Sequence, residues 1–188
     1  MSGSIDQVRL WTGADLWVAP LATAIPADLT SPMTSETAWS AVGLLSEDGA
    51  SESRDEDSND FYAWGGRLVR THRSKHKRTI TVTCLSDNPV VFKLVNPGST
   101  VATDSETGVN TRTVKVPKSE KQSFTLELFD GDITRRRHFH TGEVTEVGET
   151  ALGEGDLQAY ELTITVYPDE NDVLYVDYDN DAANAVTP

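Results

Sequence analysis

The sequence predicts a mainly β fold, a β-sandwich or open barrel with one short flanking α-helix. Alternating apolar and polar residues recur in short runs, which is typical of strands that bury one face. One segment has helical spacing with capping residues at both ends. Strands and helices do not alternate along the chain, so a parallel α/β sheet is not expected. The 188 residues therefore indicate a single domain, 1–188, built on about eight strands.

Eight segments have the composition and alternation of strands. In one of them Ile80, Val82 and Cys84 point to the same face, so the only cysteine of the chain is expected to be a buried apolar side chain. The last two segments are separated by the short turn Asp169–Asp172 and are expected to form a hairpin. The segments are 14–20, 39–46, 63–86, 111–117, 121–130, 133–147, 157–168 and 172–179.

A short helix is predicted at about 86–96. Asn88 is a favourable N-cap residue and Pro89 suits the first helical position. Pro97 and Gly98 follow the apolar positions and end the helix.

The two ends of the chain, about 1–12 and 180–188, are predicted to be arms, and the C-terminal one to be flexible. The N-terminal stretch lacks the basic start and apolar centre of a signal peptide. The most apolar early stretch contains Pro20 and Pro26 and falls short of the roughly 20 residues that a membrane helix needs. No membrane anchor is therefore expected.

The stretch SEDGASESRDEDSNDFYAWGG, about 46–66, is predicted to be a long loop. A loop of this length in a compact domain indicates a functional role. Gly65 and Gly66 are expected to form the hinge that returns the chain to the next strand. The side chains expected to contact a neighbouring subunit are Glu47, Asp48, Asp55, Glu56, Asp57, Asp60, Tyr62 and Trp64.

Charge is distributed unevenly along the chain. The formal net charge of −14 argues against binding of a phosphate backbone by the overall field of the protein. A basic run follows the acidic stretch directly, while no Lys or Arg occurs after Arg137. Such a distribution favours self-association through patches of opposite charge. The basic candidates for a subunit interface are Arg67, Arg70, Arg73 and Lys75.

The sequence predicts no catalytic, metal or cofactor site. An EF-hand loop starting at Asp55 would need Gly at its sixth position and Glu at its twelfth, where this chain has Asp60 and Gly66. His138 and His140 lie on one face of a strand, but a polar strand face explains them better than zinc does. No nucleophile elbow and no glycine-rich phosphate loop is present.

Four stretches together carry a family resemblance. They are GADLWVAPLATAIPADLTSP, WSAVGLLSEDGASESRDEDSNDFYAWGGRLVRT, CLSDNPVVFKLVNPGS and ELTITVYPDENDVLYVDYDND. The second is the most specific, and its matching residues are Gly43, Ser46, Glu47, Asp48, Gly49, Trp64, Gly65, Gly66 and Arg70. On these stretches the chain resembles the major tail tube proteins of long, non-contractile-tailed bacteriophages.

The resemblance implies a structural virion protein and not an enzyme. Such subunits assemble six to a ring, and the rings stack into a hollow tube with an acidic lumen through which DNA passes without specific binding. The loop 46–66 and the terminal arms would then bridge successive rings, with Tyr62 and Trp64 as anchors. Glu127 and Glu161, on the polar sides of strong strands, are the lumen candidates.

The resemblance also implies partners and a location. The partners would be copies of the chain, the tape measure protein, the tail tip and the terminator. The protein would belong to the virion and be assembled in the host bacterial cytoplasm. Three alternatives remain open from the sequence: a tail terminator, a decoration or receptor-binding module, and a soluble glycan-binding β-sandwich.

Overall fold

The computed structural model describes residues 5–26 and 28–184, and the predicted fold class is confirmed. The chain is mainly β, and its antiparallel sheets stay open instead of closing into a barrel. The strands are β1 (Gly13–Pro20), β2 (Ser40–Ala41), β3 (Leu45–Ala63), β4 (Arg67–Cys84), β5 (Thr100–Thr103), β6 (Asn110–Thr113), β7 (Gln122–Asp130), β8 (Ile133–Val147), β9 (Tyr160–Tyr167) and β10 (Val176–Asp179). The helix α1 spans Pro89–Val95.

The main sheet has eight strands in the order β2-β1-β7-β8-β9-β4-β3, with β10 beside β8. Strands β5 and β6 form a separate ribbon. The prediction of a hairpin between the last two strand segments is wrong, because Val176–Asp179 pairs with β8 and not with β9. Both edges of β9 are already occupied by β4 and β8, so the returning chain takes the free N-terminal part of β8.

The core lies on one face of the main sheet and under α1. Alternate residues of β1, β4, β7, β8 and β9 point into it, as the alternation of the sequence predicts. Ile80, Val82 and Cys84 are buried together, which confirms their shared face. Burial raises the pKa of the Cys84 thiol to about 11.

The capping prediction for α1 is confirmed, although the helix is shorter than 86–96. The Asn88 side chain accepts hydrogen bonds from the backbone N–H groups of Val90 and Val91, both at 2.9 Å. Its amide donates to the Val42 carbonyl at 2.7 Å, which ties the start of the helix to the segment after β2. Within 5–26 and 28–184, no helix is long and apolar enough to cross a membrane.

The opposite face of the sheet has two halves. The segment between β1 and β2 folds over β1, β7 and β8, where Met33 and Trp39 pack on Trp17 and Ala19. The other half, over β9, β4 and β3, is not covered by this segment and is rich in threonine. This face of the sheet therefore has one covered half, which includes an apolar cluster, and one open polar half.

The first and last segments that the structure describes lie close together. The Arg9 guanidinium lies 2.5 Å from the Asp181 carboxylate, and the Asn180 side chain accepts from the Thr134 backbone at 2.8 Å. Within the tail predicted to be flexible at 180–188, Asn180 and Asp181 are thus bonded to the body. Residues 1–4 of the predicted N-terminal arm and 185–188 of the tail lie outside the described residues.

Candidate functional site

The acidic stretch 46–66 is not a loop, and that prediction is wrong. Apart from the turn at its end, it forms the long strand β3, which pairs antiparallel with β4 in a hairpin. Acidic residues are unfavourable in strands when taken alone. Here the partner strand is basic, so cross-strand pairs of opposite charge such as Asp55 and Lys77 compensate. This basic strand is the reason that an acidic sequence adopts a β conformation.

The hairpin extends beyond the sheet. Strand β9 pairs with β4 only from Arg78 to Cys84, so beyond that point the hairpin is two strands wide. We call residues 55–77 the protruding ribbon. Each of its strands has about ten residues, which at the usual rise per residue gives a length of about 35 Å. A bulge opposite Asp55–Asp57, with Lys75 at a positive φ of 55°, lies where the ribbon leaves the sheet.

The base of the hairpin is fixed to the body by charges. The Glu52 carboxylate lies 2.6 Å from the Arg137 guanidinium and also contacts Arg78. Arg137 makes two further 2.7 Å hydrogen bonds to Asp177. These bonds, with the nearby Tyr175 and Glu52, hold the pKa of Arg137 above the usual value, although burial acts to lower it. The guanidinium is 4.2 Å from the ring centre of Tyr175. This network sets the direction in which the hairpin leaves the sheet.

Two acidic residues of the ribbon contact basic side chains, either within the ribbon or just before it on β3. Glu56 contacts Arg54 and lies 3.1 Å from His76 and 3.9 Å from Arg73, while Asp57 lies 2.7 Å from Lys75. The hydrogen bond from Arg54 is the main cause that lowers the pKa of Glu56. Two of the four basic interface candidates therefore contact carboxylates of their own chain.

The ribbon differs in net charge from the rest of the chain. Residues 55–77 contain five Lys or Arg against four Asp or Glu, whereas the whole chain has a formal charge of −14. Among the described residues, neither Arg67 nor Arg70 lies within 4.0 Å of a carboxylate. The end of the ribbon therefore carries cations without an acidic partner on an otherwise acidic molecule.

The tip of the ribbon exposes large apolar side chains. A turn closed by a 3.0 Å hydrogen bond from Gly66 N–H to the Ala63 carbonyl joins β3 and β4, and Gly65 and Gly66 have φ values of 89° and 80°. The exposed fractions are 51% for Phe61, 61% for Tyr62 and 105% for Trp64. Leu68 and Val69 are exposed beside them. Such an apolar cluster at the end of a projection marks a contact surface.

Glu127 cannot face a lumen, and that prediction is wrong. Its carboxylate is buried and accepts a hydrogen bond from Arg136 Nε at 2.9 Å. Arg136 also donates to the carbonyls of Pro26 at 2.9 Å, Asp28 at 3.1 Å and Ser31 at 2.9 Å. The segment between β1 and β2 thus covers Glu127, and the ion pair holds that segment on the sheet.

Glu161 lies on the open polar half of the sheet and is exposed. Threonines of β4 and β9 surround it in alternating positions, and Thr81 and Thr163 lie 3.4 Å apart through their hydroxyls. Thr145 and Thr165 are joined at 2.8 Å in the same way. Two pairs of these hydroxyls therefore bond to each other. The charged groups at this face are Glu161 and Glu143, with the Lys121 ammonium near Glu143.

The two strand histidines are not placed like metal ligands. The rings of His138 and His140 are in edge contact, 4.6 Å between centroids, and His138 is buried against Trp39. Burial lowers the pKa of His138 to about 4. In the part of the chain that the structure describes, no group of three or more His, Cys, Asp or Glu is arranged to hold a metal ion.

A cleft that the sequence did not predict lies between β1 and the start of β3. Its volume is about 650 Å³, its floor includes Leu126 and Leu128, and Arg135 lines one side. The other side is a bulge of β3 between Leu45 and Ala50, where residues 46–49 leave the ladder. The SEDG phrase of the sequence, with Gly49 at a φ of 71°, is the one local signal for this bulge.

Comparisons with known proteins agree with this architecture. A family model described as phage tail tube protein matches residues 1–188. A search of curated protein sequences finds no match.

The fold is similar to those of two chains from an extracellular contractile injection system called PVC. One is from the sheath–tube complex in the extended state, with 9% identity, a TM-score of 0.53 and coverage of 92% of this chain and 93% of that chain. The other is from the sheath/tube terminator, with 10% identity, a TM-score of 0.50 and coverage of 93% and 99%. At these identities the similarity concerns the fold alone.

Proposed function

Because the chain belongs to the phage tail tube protein family, a family of structural tail proteins and not of enzymes, we propose that it assembles into hexameric rings. These rings stack into the hollow tube through which phage DNA is delivered. The observation that carries the proposal is the protruding ribbon, which projects about 35 Å from the sheet and ends in exposed aromatics. We take the ribbon to contact a neighbouring subunit, because exposed apolar side chains at the end of a projection mark a contact surface.

The open sheet supports lateral association within a ring. Strand β3 forms one end of the strand order and β2, two residues long, forms the other. Backbone groups at such edges are available for pairing or packing with a neighbouring chain. Six sheets placed side by side would form the continuous wall of a tube.

We assign the lumen surface to the open polar half of the sheet, around Glu161. Its threonines bond to each other, and Glu143 and Glu161 add negative charge. A surface of that sign repels the phosphate backbone, so DNA passes along it without specific binding.

The proposed setting is the tail of a long, non-contractile-tailed phage. The tube would contact the tape measure protein, the tail tip and the terminator, and would be assembled in the host bacterial cytoplasm. The similar solved structures come from contractile systems, and at 9% and 10% identity they show the fold alone. A virion micrograph that shows a sheath around the tube would contradict the non-contractile part of the proposal.

Negative-stain microscopy and light scattering of the purified chain test the proposal. Tubes, or rings with a mass six times the 20.5 kDa of the chain, are expected. Tail-initiator proteins should be added in a parallel sample, because some assemblies need a nucleus. A chain that stays monomeric at high concentration in both samples would contradict the proposal. Single rings that never stack would favour a terminator instead, and a stable monomer that binds glycans would favour a binding module.

A further inference from the structure

We propose that the aromatic tip of the ribbon of one subunit docks in the cleft between β1 and β3 of a second copy of this chain in the adjoining ring. This inference rests on the proposed function, because it names the surface that receives the ribbon. The tip comprises Phe61, Tyr62 and Trp64 with the neighbouring Leu68 and Val69. The occupant of the cleft is thus a second copy and not a small molecule.

The apolar parts of the tip and the cleft match. The tip side chains are more than half exposed, and Trp64 has no contact that covers it. Around the cleft, Leu10 and Leu44 are 74% and 73% exposed, and Leu126 and Leu128 lie beneath. A cavity of about 650 Å³ is of the size that accepts large side chains. Docking would remove from water the apolar surface that both sites expose in the single chain.

The charges also match. Three arginines line the cleft, Arg9, Arg135 and Arg137, and each lies within 4.0 Å of a carboxylate of its own chain. Glu47 and Asp48 also border the cleft, and no Lys or Arg among the described residues lies within 4.0 Å of either carboxylate. The tip brings Arg67 and Arg70, whose guanidinium groups are likewise without an acidic partner in the described chain. Opposite charges at the rim of an apolar contact select the partner and its orientation.

The cleft has one further feature that fits an incoming partner. The Nε atom of Arg135 is buried without a hydrogen-bond partner in the described chain, and Arg135 lines the cleft. Buried donors are normally satisfied, so this Nε would gain a partner if docking shifted the guanidinium, which now lies 3.7 Å from Asp179 and 5.1 Å from the centre of the Trp11 ring. The Asp60 carboxylate and the Tyr62 hydroxyl at the tip are acceptors of the right kind.

The geometry of the hairpin allows the contact only between copies. The Glu52 network fixes the base of the hairpin to the body, and the ribbon leads its tip about 35 Å away from the sheet. The bulge at 46–49 that borders the cleft lies at the start of β3, and Trp64 lies just beyond its far end. Repetition of this tip-to-cleft contact from ring to ring would build a stack.

A charge-swap cycle tests the proposal. The first variant carries Glu47→Arg and Asp48→Arg in the cleft, the second Arg67→Glu and Arg70→Glu at the tip, and the third all four changes. Each of the first two is expected to reduce the protein that sediments as tubes by about tenfold, and the third to restore it to about half or more of the original. Circular dichroism and thermal unfolding of the single chains check that every variant folds.

The matched control is Glu154→Arg with Asp156→Arg, which changes the net charge as much as the cleft variant does at an exposed loop away from the cleft. Trp64→Ser tests the apolar part of the tip-to-cleft contact. Its control is Leu157→Ser, because Leu157 is 80% exposed and lies on the same loop as Glu154 and Asp156. The control variants should form tubes of normal length, and Trp64→Ser should not.

The outcomes separate the two proposals. Tip-to-cleft docking would be overturned if the cleft variant and the tip variant both form normal tubes. It would also be overturned if the variant with all four changes folds but does not regain tube formation. In either case the proposed tube function stands. Failure of the unmodified chain to form rings or tubes under any condition would overturn the proposed function, and the docking proposal with it. Loss of stacking in the cleft and tip variants, with recovery in the variant that carries all four changes, would support both the tube function and the docking proposal.

Discussion

The two halves of the β3–β4 hairpin have the same antiparallel pairing but opposite surroundings. Near the base, Ile80, Val82 and Cys84 alternate into the core and β9 completes the sheet. In the protruding ribbon nearly every side chain is exposed, and among the described residues cross-strand ion pairs join only Glu56 and Asp57 to basic residues of β4. The base contributes to the stability of the fold, whereas the ribbon is free to serve contacts between subunits.

Removal of a buried charge in the body should have the largest effect on stability. Arg136→Ala leaves Glu127 buried without its partner and frees the segment between β1 and β2, so we expect a loss of about 3–5 kcal/mol. The matched change in the ribbon, Arg73→Ala, removes an exposed ion pair and should leave the urea midpoint nearly unchanged. Urea unfolding followed by circular dichroism measures both. Equal effects would show that the ribbon stabilises the fold as the body does.

Truncation of an apolar side chain should also have different effects on stability in the core and at the tip of the ribbon. Ile80→Ala opens a cavity in the core and should cost about 2–5 kcal/mol. Leu68→Ala on the tip should change stability by less than about 0.5 kcal/mol, since this side chain is half exposed. Thermal unfolding gives both values. A loss at Leu68 close to that at Ile80 would place the tip in the core of the single chain.

The pH dependence of stability should come from the body. The pKa of His138 is about 4 in the folded chain against a usual 6.5, so between these values the unfolded chain binds a proton that the folded chain does not. Stability should therefore be fully present above pH 6.5 and fall by about 2–3 kcal/mol as the pH is lowered towards 4.5. Urea midpoints at pH 7 and 4.5 should differ less in His138→Gln than in the original chain.

Carboxylates also titrate near the lower pH, so the difference between the original chain and the variant is the quantity that matters. His72 in the ribbon is exposed and provides the control. A His72→Gln variant whose pH dependence changes as much as that of His138→Gln would contradict the assignment to the body.

The most local effect is expected at the turn of the tip. Gly65→Ala places a side chain at a φ of 89° and should cost about 1–2 kcal/mol, felt as opening of the turn and not as global unfolding. Hydrogen exchange should speed up at the turn and remain unchanged in β9. Gly155→Ala, at an exposed glycine without a neighbour within 4 Å, is the control. Faster exchange throughout the sheet would contradict a locally confined effect.

The sequence predicted most of the body, because its strands turn alternate apolar residues to one core. The alternation of Leu162, Ile164 and Val166 reports core contact directly, and Asn88 with Pro89 marks the helix start by local chemistry. Burial of Cys84 follows from the same alternation. Signals of this kind lie within a few residues of each other, so a single sequence contains them.

The errors arose where the structure depends on distant partners. The stretch 46–66 has a loop composition, and only its register with the basic strand β4 makes it a strand. Glu127 looks like a surface carboxylate until Arg136, on the adjacent strand, and the carbonyls of 26–31 close over it. The order of β9 and β10 depends on which strand edges are still free. None of these relations can be found from composition or local spacing.

The burial of Cys84 has a practical consequence for labelling. Its thiol is the only one in the chain, lies inside the core and has a pKa of about 11, so a maleimide dye at neutral pH finds almost no native thiolate. A cysteine introduced at an exposed position of the ribbon would be labelled alone. Fluorescence transfer between two such dyes would then follow the exchange and growth of assemblies in solution, one subunit at a time.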